Sequence, residues 1–414
     1  MGLTMSQRKA VTRASARRYR SGSRAVKAVI LDELCATTGW HRDHARKALR
    51  GALGPRRVVK PRAPRVPTYG EEVLVPLRKV WAVMDAPAGK RMAPFLGEIV
   101  ARLRAYGELD ISDEIAVKLC SISAATIDRR LAGERQRMQL KGRSGTKPGS
   151  LLKSQIPMRT WAQWDEQRAG FVEVDCVGHE GGNPRGHFCQ TLTVTDIHTT
   201  WTVTQAVQDK AHARVFAALL DITAAFPFPV RGIDSDNGSE FINKELLRYC
   251  TEQEITFTRS RSGHKNDGAH VEQKNWSVVR RTVGYHRYDT PAELALLNRI
   301  YPVLSLMTNY FTPSQKLIEK HRNGAKVTKR YDEAATPYQR VMSDQAITRQ
   351  TKRDLTRMYK SLNPAQLRRD LLDLQDELQD LVRGKQPRTR LLPNRPVATR
   401  AKPDEATKTR SRAS

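Results

Sequence analysis

Three acidic residues stand where acids are costly to place. Asp175 lies inside the apolar run FVEVDCV (171–177). Asp236 follows a short apolar segment, within SDNGSEF (235–241). Glu272 lies in NDGAHVEQKNW, near the start of a helical stretch, with 35 residues between it and Asp236. Carboxylates that converge repel one another, so they need a counter-cation. Mg²⁺ suits them, because it takes hard oxygen ligands and is commonly held by one or two carboxylates plus substrate phosphates. Two such ions about 3.5–4 Å apart can clamp the attacking and leaving oxygens of an in-line phosphoryl transfer. Asp175 would then bridge both ions, and Asp236 and Glu272 would each complete one site. The five cysteines (35, 120, 176, 189 and 250) form no CxxC pair. Zinc and a disulfide scaffold are therefore disfavoured. Two alternatives stay open. Asp234 lies two residues from Asp236, and Glu173 shares a strand face with Asp175 by the period of two. Asp196 begins a turn and reads as structural.

The elements that must position these acids are legible. FVEVDCV, TLTVTDI (191–197) and TWTVTQAV (200–207) are rich in β-branched residues and read as strands. The connection at His198-Thr199 is tight enough to make the second and third a hairpin. Helices are expected at 211–225, 240–252, 267–283 and 291–310, and short strands at 230–234 and 255–258. The order is β-β-β-α-β-α-β-α-α. Asn237-Gly238 reads as a tight turn that lets backbone approach a metal site.

With that order and those motifs, 165–320 resembles the catalytic core of DDE transposases and retroviral-type integrases. SDNGSEF, a Glu in a helix 35 residues later and the preceding FVEVDCV carry the likeness. The resemblance implies a ribonuclease H-like α/β core with Asp175, Asp236 and Glu272 as its catalytic, metal-holding triad. It implies two Mg²⁺ ions (or Mn²⁺) that activate water to nick a transposon end. The freed 3′-OH would attack target DNA directly, without a covalent protein–DNA intermediate and without ATP. Double-stranded DNA, both element ends and target, is the implied partner, along with self-assembly into a dimer or more. A helper protein is left open. The zinc module of retroviral integrases is not found. Lys265, Asn266 and Lys274 flank Glu272 and are candidates for holding phosphates, the alternative being solvated surface charge. Arg259, Arg261 and His264 lie in a polar Ser/Gly segment that reads as a loop closing over DNA. Trp201 and Trp276 read as core.

The charge balance fits such a substrate. The 414-residue chain carries 72 Lys+Arg against 43 Asp+Glu, a formal +29. Residues 170–290 hold 13 basic and 15 acidic residues, so the remainder carries +31. A near-neutral module is flanked by basic arms, and strongly basic flanks favour polyanions. Residues 1–24 read as a flexible basic arm. At 25–52 an apolar stripe, a break at Thr37–Trp40 and a basic helix follow the helix-turn-helix pattern, the alternative being a plain αα-hairpin. Arg42, Arg46 and Lys47 lie on its second helix. Residues 53–69 form a Pro/Arg linker carrying Arg56 and Arg57. The stretch 70–140 is helical, with a second helix-turn-helix at about 111–131 bearing Arg129 and Arg130. A linker at 141–164 precedes the core. Residues 321–384 read as basic and mostly helical, with leucines 367, 371, 374, 378 and 381 spaced as a heptad seam. That seam could join subunits or pack on its own chain. Residues 385–414 read as a disordered basic tail. The expectation is thus a multidomain chain: helix-turn-helix domains, an α/β core and a basic C-terminal region. No run of 18 apolar residues appears, so no membrane span is expected, and a bacterial cytoplasmic, nucleoid-associated setting is. Two other readings share these features: a ribonuclease H-like nuclease limited to hydrolysis, and a domesticated regulator that binds DNA without cutting it.

Overall fold

The computed structural model describes residues 3–54, 68–137, 168–235, 240–241, 243–259, 269–324 and 326–385, and for 269, 270, 272, 320 and 326 the backbone alone. The chain divides into two compact units, Met1–Thr68 and Tyr69–Ser414. The Pro/Arg linker with Arg56 and Arg57, the 141–164 linker and the C-terminal tail lie outside the described residues.

The described residues of the first unit form three helices: α1 (Met5–Ser21), α2 (Arg24–Thr38) and α3 (Arg42–Gly51). The stretch expected as a flexible arm is therefore helical from Met5. Thr4 and Gln7 form a capping box at its start, which satisfies two otherwise orphaned backbone donors. Ala16 and Tyr19 bury against Ile30, Leu31, Leu34, Ala45 and Leu49. The basic residues that suggested disorder lie around this small apolar stripe. Gly39 ends α2 in the left-handed conformation (φ 68°), its N–H donating to the Cys35 carbonyl. Position 39 thus needs a residue without a Cβ penalty.

The second unit begins with α4 (Glu71–Val83), α5 (Gly89–Met92), α6 (Leu96–Ala105), α7 (Asp113–Cys120), α8 (Ala124–Arg130) and α9 (Ala132–Arg137). Ser112 and Ser123 cap α7 and α8 with their hydroxyls, and the short turn between them matches the expected helix pair.

The central sheet follows. Its parts are β1 (Phe171–Gly178), β2 (Gln190–Asp196), β3 (Thr202–Val207), α10 (His212–Ala225), β4 (Gly232–Ser235), α11 (Lys244–Glu252) and β5 (Thr256–Arg259). The strands lie in the order β3-β2-β1-β4-β5. The first three form an antiparallel meander, and β4 and β5 run parallel to β1. Strand alternation gives the sheet two unlike faces. Val172, Val174, Leu192, Val194 and Ile233 join α10 and α11 in one large apolar core. Glu173, Thr193, Thr195, Asp234 and Thr258 are equally buried but polar, and the register groups them on the opposite face.

Three helices complete the core: α12 (Ala269–Lys274), α13 (Arg281–Val283) and α14 (Pro291–Leu306). A π-helical turn, Asn275–Arg280, joins α12 to α13, and another, Met307–Phe311, extends α14. The edge strand β3 does not present bare backbone. Asn298 accepts from Ala206 N and donates to its carbonyl, and Asn309 does the same at Thr202, at 2.8–3.1 Å. Covering an edge in this way prevents strand addition.

Beyond the core the chain is mostly helical, as expected, with a two-stranded ribbon that was not expected. A ribbon of β6 (Leu317–Asn323) and β7 (Lys326–Tyr331) precedes α15 (Pro337–Ser343), α16 (Arg349–Ser361) and α17 (Pro364–Lys385). The boundary expected at 320 falls inside β6. The leucine seam is also resolved. Leu371, Leu374 and Leu378 are buried with Leu296, Leu297, Ile300 and Leu304 of α14, so it packs on its own chain. Among the described residues, no helix is long and apolar enough to cross a membrane.

Candidate active site

Asp175 sits on β1, facing the polar side of the sheet. One carboxylate oxygen accepts from Cys176 N (2.7 Å), and the other accepts from Asn275 Nδ2 (2.6 Å). Two residues earlier on the same face, buried Glu173 accepts from Val271 N (3.0 Å). These two bonds seat the first turn of α12 and the start of the π-turn across β1. The helix carrying Glu272 is thereby held against the strand carrying Asp175. The Glu272 side chain itself is outside the described set.

Asp234 pairs in register with Glu173 on the adjacent strand. It is 1% exposed and accepts from the Thr258 hydroxyl at 2.6 Å. That placement gives both alternatives to the triad a structural role. Glu173 anchors α12, and Asp234 joins β4 to β5. Ser235, the last residue of β4, pairs with Val174, so the chain leaves β4 beside Asp175. Asp236 is the next residue and lies outside the described residues, as do Arg261, His264, Lys265 and Asn266. Gly232 permits the close pairing at the other end of β4, since a Cβ there would meet the Phe171 ring at 2.4 Å.

Two buried oxygens near Asp175, Asn275 Oδ1 and Thr193 Oγ1, have no hydrogen-bond partner among the described residues. Thr193 is the register partner of Asp175 on β2. A buried polar atom left unpaired costs about 1–3 kcal/mol and calls for an explanation. The donors here are hard oxygens from a carboxylate, an amide and a hydroxyl, a set that fits Mg²⁺ or Mn²⁺ rather than zinc. Among the described residues, no three His, Cys, Asp or Glu side chains meet in a metal-holding group. Of the three triad carboxylates, only that of Asp175 lies within that set.

Lys274, two residues after Glu272, has its ammonium pushed down to about 8 by desolvation, with the charges of Arg91 and Arg340 adding to the effect. Trp276 contradicts the expectation of a core residue and stands 55% exposed on the π-turn. Trp201 is buried as expected, edge-on to Tyr310. Asp196 is structural: it accepts from Gly170 N, Thr199 N and the Thr199 hydroxyl and pins the β2–β3 turn. Burial pushes its carboxyl up, against those hydrogen bonds.

The candidate DNA contacts scatter. Arg259 ends β5, in register with Ser235. Arg129 and Arg130 are exposed on α8, where Arg130 donates to the Tyr69 carbonyl (3.2 Å). In the first unit, Arg42 pairs with Asp32, Arg46 pairs with Asp43 at 2.8 Å, and Lys47 is exposed. Sequence reasoning missed Asn275. Its signal was available, because it lies three residues after Glu272 and so shares a helix face with it.

The family model for the integrase core domain matches residues 165–265. A protein of Sinorhizobium fredii, the uncharacterised y4rM, is 40% identical over 338 residues, which cover 82% of this chain and 96% of that one. An uncharacterised 39.2 kDa protein of insertion element IS476 from Xanthomonas euvesicatoria is 24% identical over 216 residues, 51% of this chain and 58% of its own. The chain belongs to the DDE transposase/integrase superfamily. Among solved structures, the catalytic core of BIV integrase aligns with 42% of this chain and 93% of its own, at 15% identity and a TM-score of 0.29. The HTLV-2 integrase core in complex with magnesium aligns with 36% and 93%, at 12% identity and 0.28. Scores this low add nothing to the strand order already described. The integrase core match ends seven residues before Glu272, and the helix bearing that residue is the one seated on β1 by Glu173 and Asn275.

Proposed function

We propose that this protein is a DNA transposase that binds the ends of its element, cleaves there and joins the freed end to target DNA. The observation that carries this reading is the pairing of β1 with α12 through Asp175–Asn275 and Glu173–Val271. It supports the reading by holding the helix on which Glu272 falls against the strand that carries Asp175, beside the end of β4. Asp175, Asp236 and Glu272 are the proposed catalytic carboxylates and the holders of two divalent ions. When bound, those ions supply activation of the attacking oxygen and neutralisation of charge on the phosphate. Asn275 orients the Asp175 carboxylate. Lys274, Lys265, Asn266, Arg259 and Arg261 are the proposed phosphate contacts near the scissile bond. Arg42, Arg46 and Lys47 of the first helix pair, Arg56 and Arg57 of the linker after it, and Arg129 and Arg130 of the second pair are proposed to read and hold the ends. In the chemistry proposed, water first breaks one phosphodiester at an element end. The exposed 3′-OH then attacks a target phosphodiester, and the target's own 3′-oxygen leaves. A dimer or larger assembly is proposed, since two ends must meet.

A strand-transfer assay with labelled element ends tests the reading. Joined products are expected from the natural chain. Asp236→Asn should abolish cutting and joining while end binding persists, and full activity in that variant would overturn the metal assignment. Cut but unjoined products would favour a nuclease, and binding without cutting a regulator.

A further inference from the structure

The β6–β7 ribbon stands apart from everything described so far. Its described side chains are exposed on both faces, among them Leu317 (47%), Ile318 (60%), Val327 (40%) and Tyr331 (46%). A two-stranded ribbon with neither face covered is marginally stable in water. Its charge makes matters worse. Residues 317–331 carry five Lys or Arg and one acid, Glu319, which His321 already engages at 2.6 Å. Lys329 and Arg330 are adjacent on β7, and Arg322 lies across the ribbon on β6. Among the described residues, no acidic side chain pairs with Arg322, Lys329 or Arg330.

The root, by contrast, is firmly held. Arg340 of α15 forms an ion pair with Asp332 (2.7 Å) and donates to the Ser314 carbonyl (2.9 Å). Ser314 and Ala335 bridge the two ends of the arm. Lys316 N donates to Asp332 (2.6 Å), and Lys316 Nζ reaches the His198 carbonyl in the β2–β3 turn (3.1 Å). The arm is thus mounted on the central sheet and projects from it. Tyr338 of α15 meets Thr356 of α16 at 3.2 Å. On α16, Lys352, Arg353, Arg357 and Lys360, with Met342 and Thr356, line an open groove of about 360 Å³.

We propose that the ribbon is a DNA-binding arm that enters a groove of the duplex, its cations on the two phosphate backbones and its apolar side chains against sugars and bases. The major groove is wide enough to admit a two-stranded ribbon. Phosphates on either side would neutralise Arg322, Lys329 and Arg330, with which no acidic side chain among the described residues pairs. A second copy of this chain is a poor occupant, because the same basic arm and a formal +29 charge would meet their like. The proposal rests on the DNA-joining reading for its setting but not for its test.

The test uses the full chain with EDTA, so that metal and catalysis play no part, and a generic 30-base-pair duplex beside a single strand of equal length. In the variant Arg322→Gln, Lys329→Gln, Arg330→Gln, the slope of log K against log salt on the duplex should fall by about 2–3, near 0.9 for each phosphate no longer neutralised. The change on the single strand should be smaller. A second variant, in which two glycines replace residues 319–330 and with them five Lys or Arg, should show at least as large a loss with an unchanged thermal midpoint. An unchanged duplex slope in both folded variants would overturn the proposal. So would an equal loss on both substrates, which would leave charge without a groove, or a lost self-association with DNA binding intact. If the strand-transfer assay fails while this slope changes, the arm stands and the catalytic reading falls.

Discussion

The two faces of the central sheet are built from the same strands and do opposite work. Val172, Val174, Leu192, Val194 and Ile233 point one way, into the apolar core with α10 and α11. Glu173, Asp175, Thr193, Asp234 and Thr258 lie on the other, beneath α12. Each apolar side chain fully buried contributes about 1.5–3 kcal/mol. Each buried carboxylate must instead be matched by donors or a cation, or it neutralises. The stabilisation on one face therefore offsets the cost on the other. Three carboxylates on neighbouring strands are tolerated because the reverse side of those strands is close-packed hydrocarbon. Adjacent residues on one strand should accordingly respond to mutation in different observables.

The sharpest separation is expected at Asp175. Asp175→Asn should lower DNA cleavage by about 10³-fold or more, the size expected when several kcal/mol of transition-state stabilisation is removed. Its thermal midpoint should hold or rise, since one of several neighbouring negative charges is gone. A large fall in the midpoint with activity per folded molecule preserved would make Asp175 structural and break the comparison. Leu192→Ala, one residue from Thr193 on the hydrocarbon side, should do the reverse. Chemical denaturation should show a loss of about 2–5 kcal/mol, while cleavage per folded molecule stays near that of the natural chain. Asn275→Ala lies between these extremes. It removes the donor to Asp175 Oδ2, and a lost partner of a metal ligand typically weakens metal binding by about 10–100-fold. A metal titration of cleavage should shift by that factor. No shift would mean that Asn275 serves α12 alone.

Much of the division between faces was legible in the sequence. The run FVEVDCV alternates, the order of strands and helices was recoverable from β-branched runs and helical spacing, and Ser123 announced the start of α8. What stayed hidden depends on contacts between distant residues. Asn298 and Asn309 complete the β3 edge from 92 and 107 residues away, and no local pattern announces that. The π-turn at Asn275–Arg280 obeys a five-residue hydrogen bond that helical periodicity does not anticipate, and Trp276 is exposed on it. The leucine seam was visible, but whether it faced α14 or a second chain was not, because both offer the same apolar surface. Two misses were avoidable. Asn323-Gly324 between residues of strand character is a hairpin signal, and Gly324 does turn the ribbon at φ 58°. The Thr4–Gln7 pair likewise marks the start of α1.

The smallest effect is expected where neither face is involved. Glu108, just beyond α6, is gripped by Arg369 of α17 at 2.7 and 3.0 Å and by Asn363 at 2.8 Å. The Arg369 guanidinium and the Asn363 amide hold its carboxyl well below the ordinary 4.5, at about 2. A carboxyl with a depressed folded-state pKa binds its proton less readily in the folded chain than in the unfolded one. Its contribution to stability is therefore fully present above about pH 4.5 and is lost as pH falls through about 2. Arg369 is half-exposed, so solvent screens the pair, and Glu108→Gln should lower stability near neutrality by about 1 kcal/mol or less. Urea midpoints of the variant and the natural chain should converge as pH falls from 4.5 towards 2. A gap that persists unchanged at pH 2 would mean that Glu108 acts through shape rather than charge. A variant as inert in cleavage as Asp175→Asn would mean that the polar face is not the only place where a lost carboxylate stops the reaction.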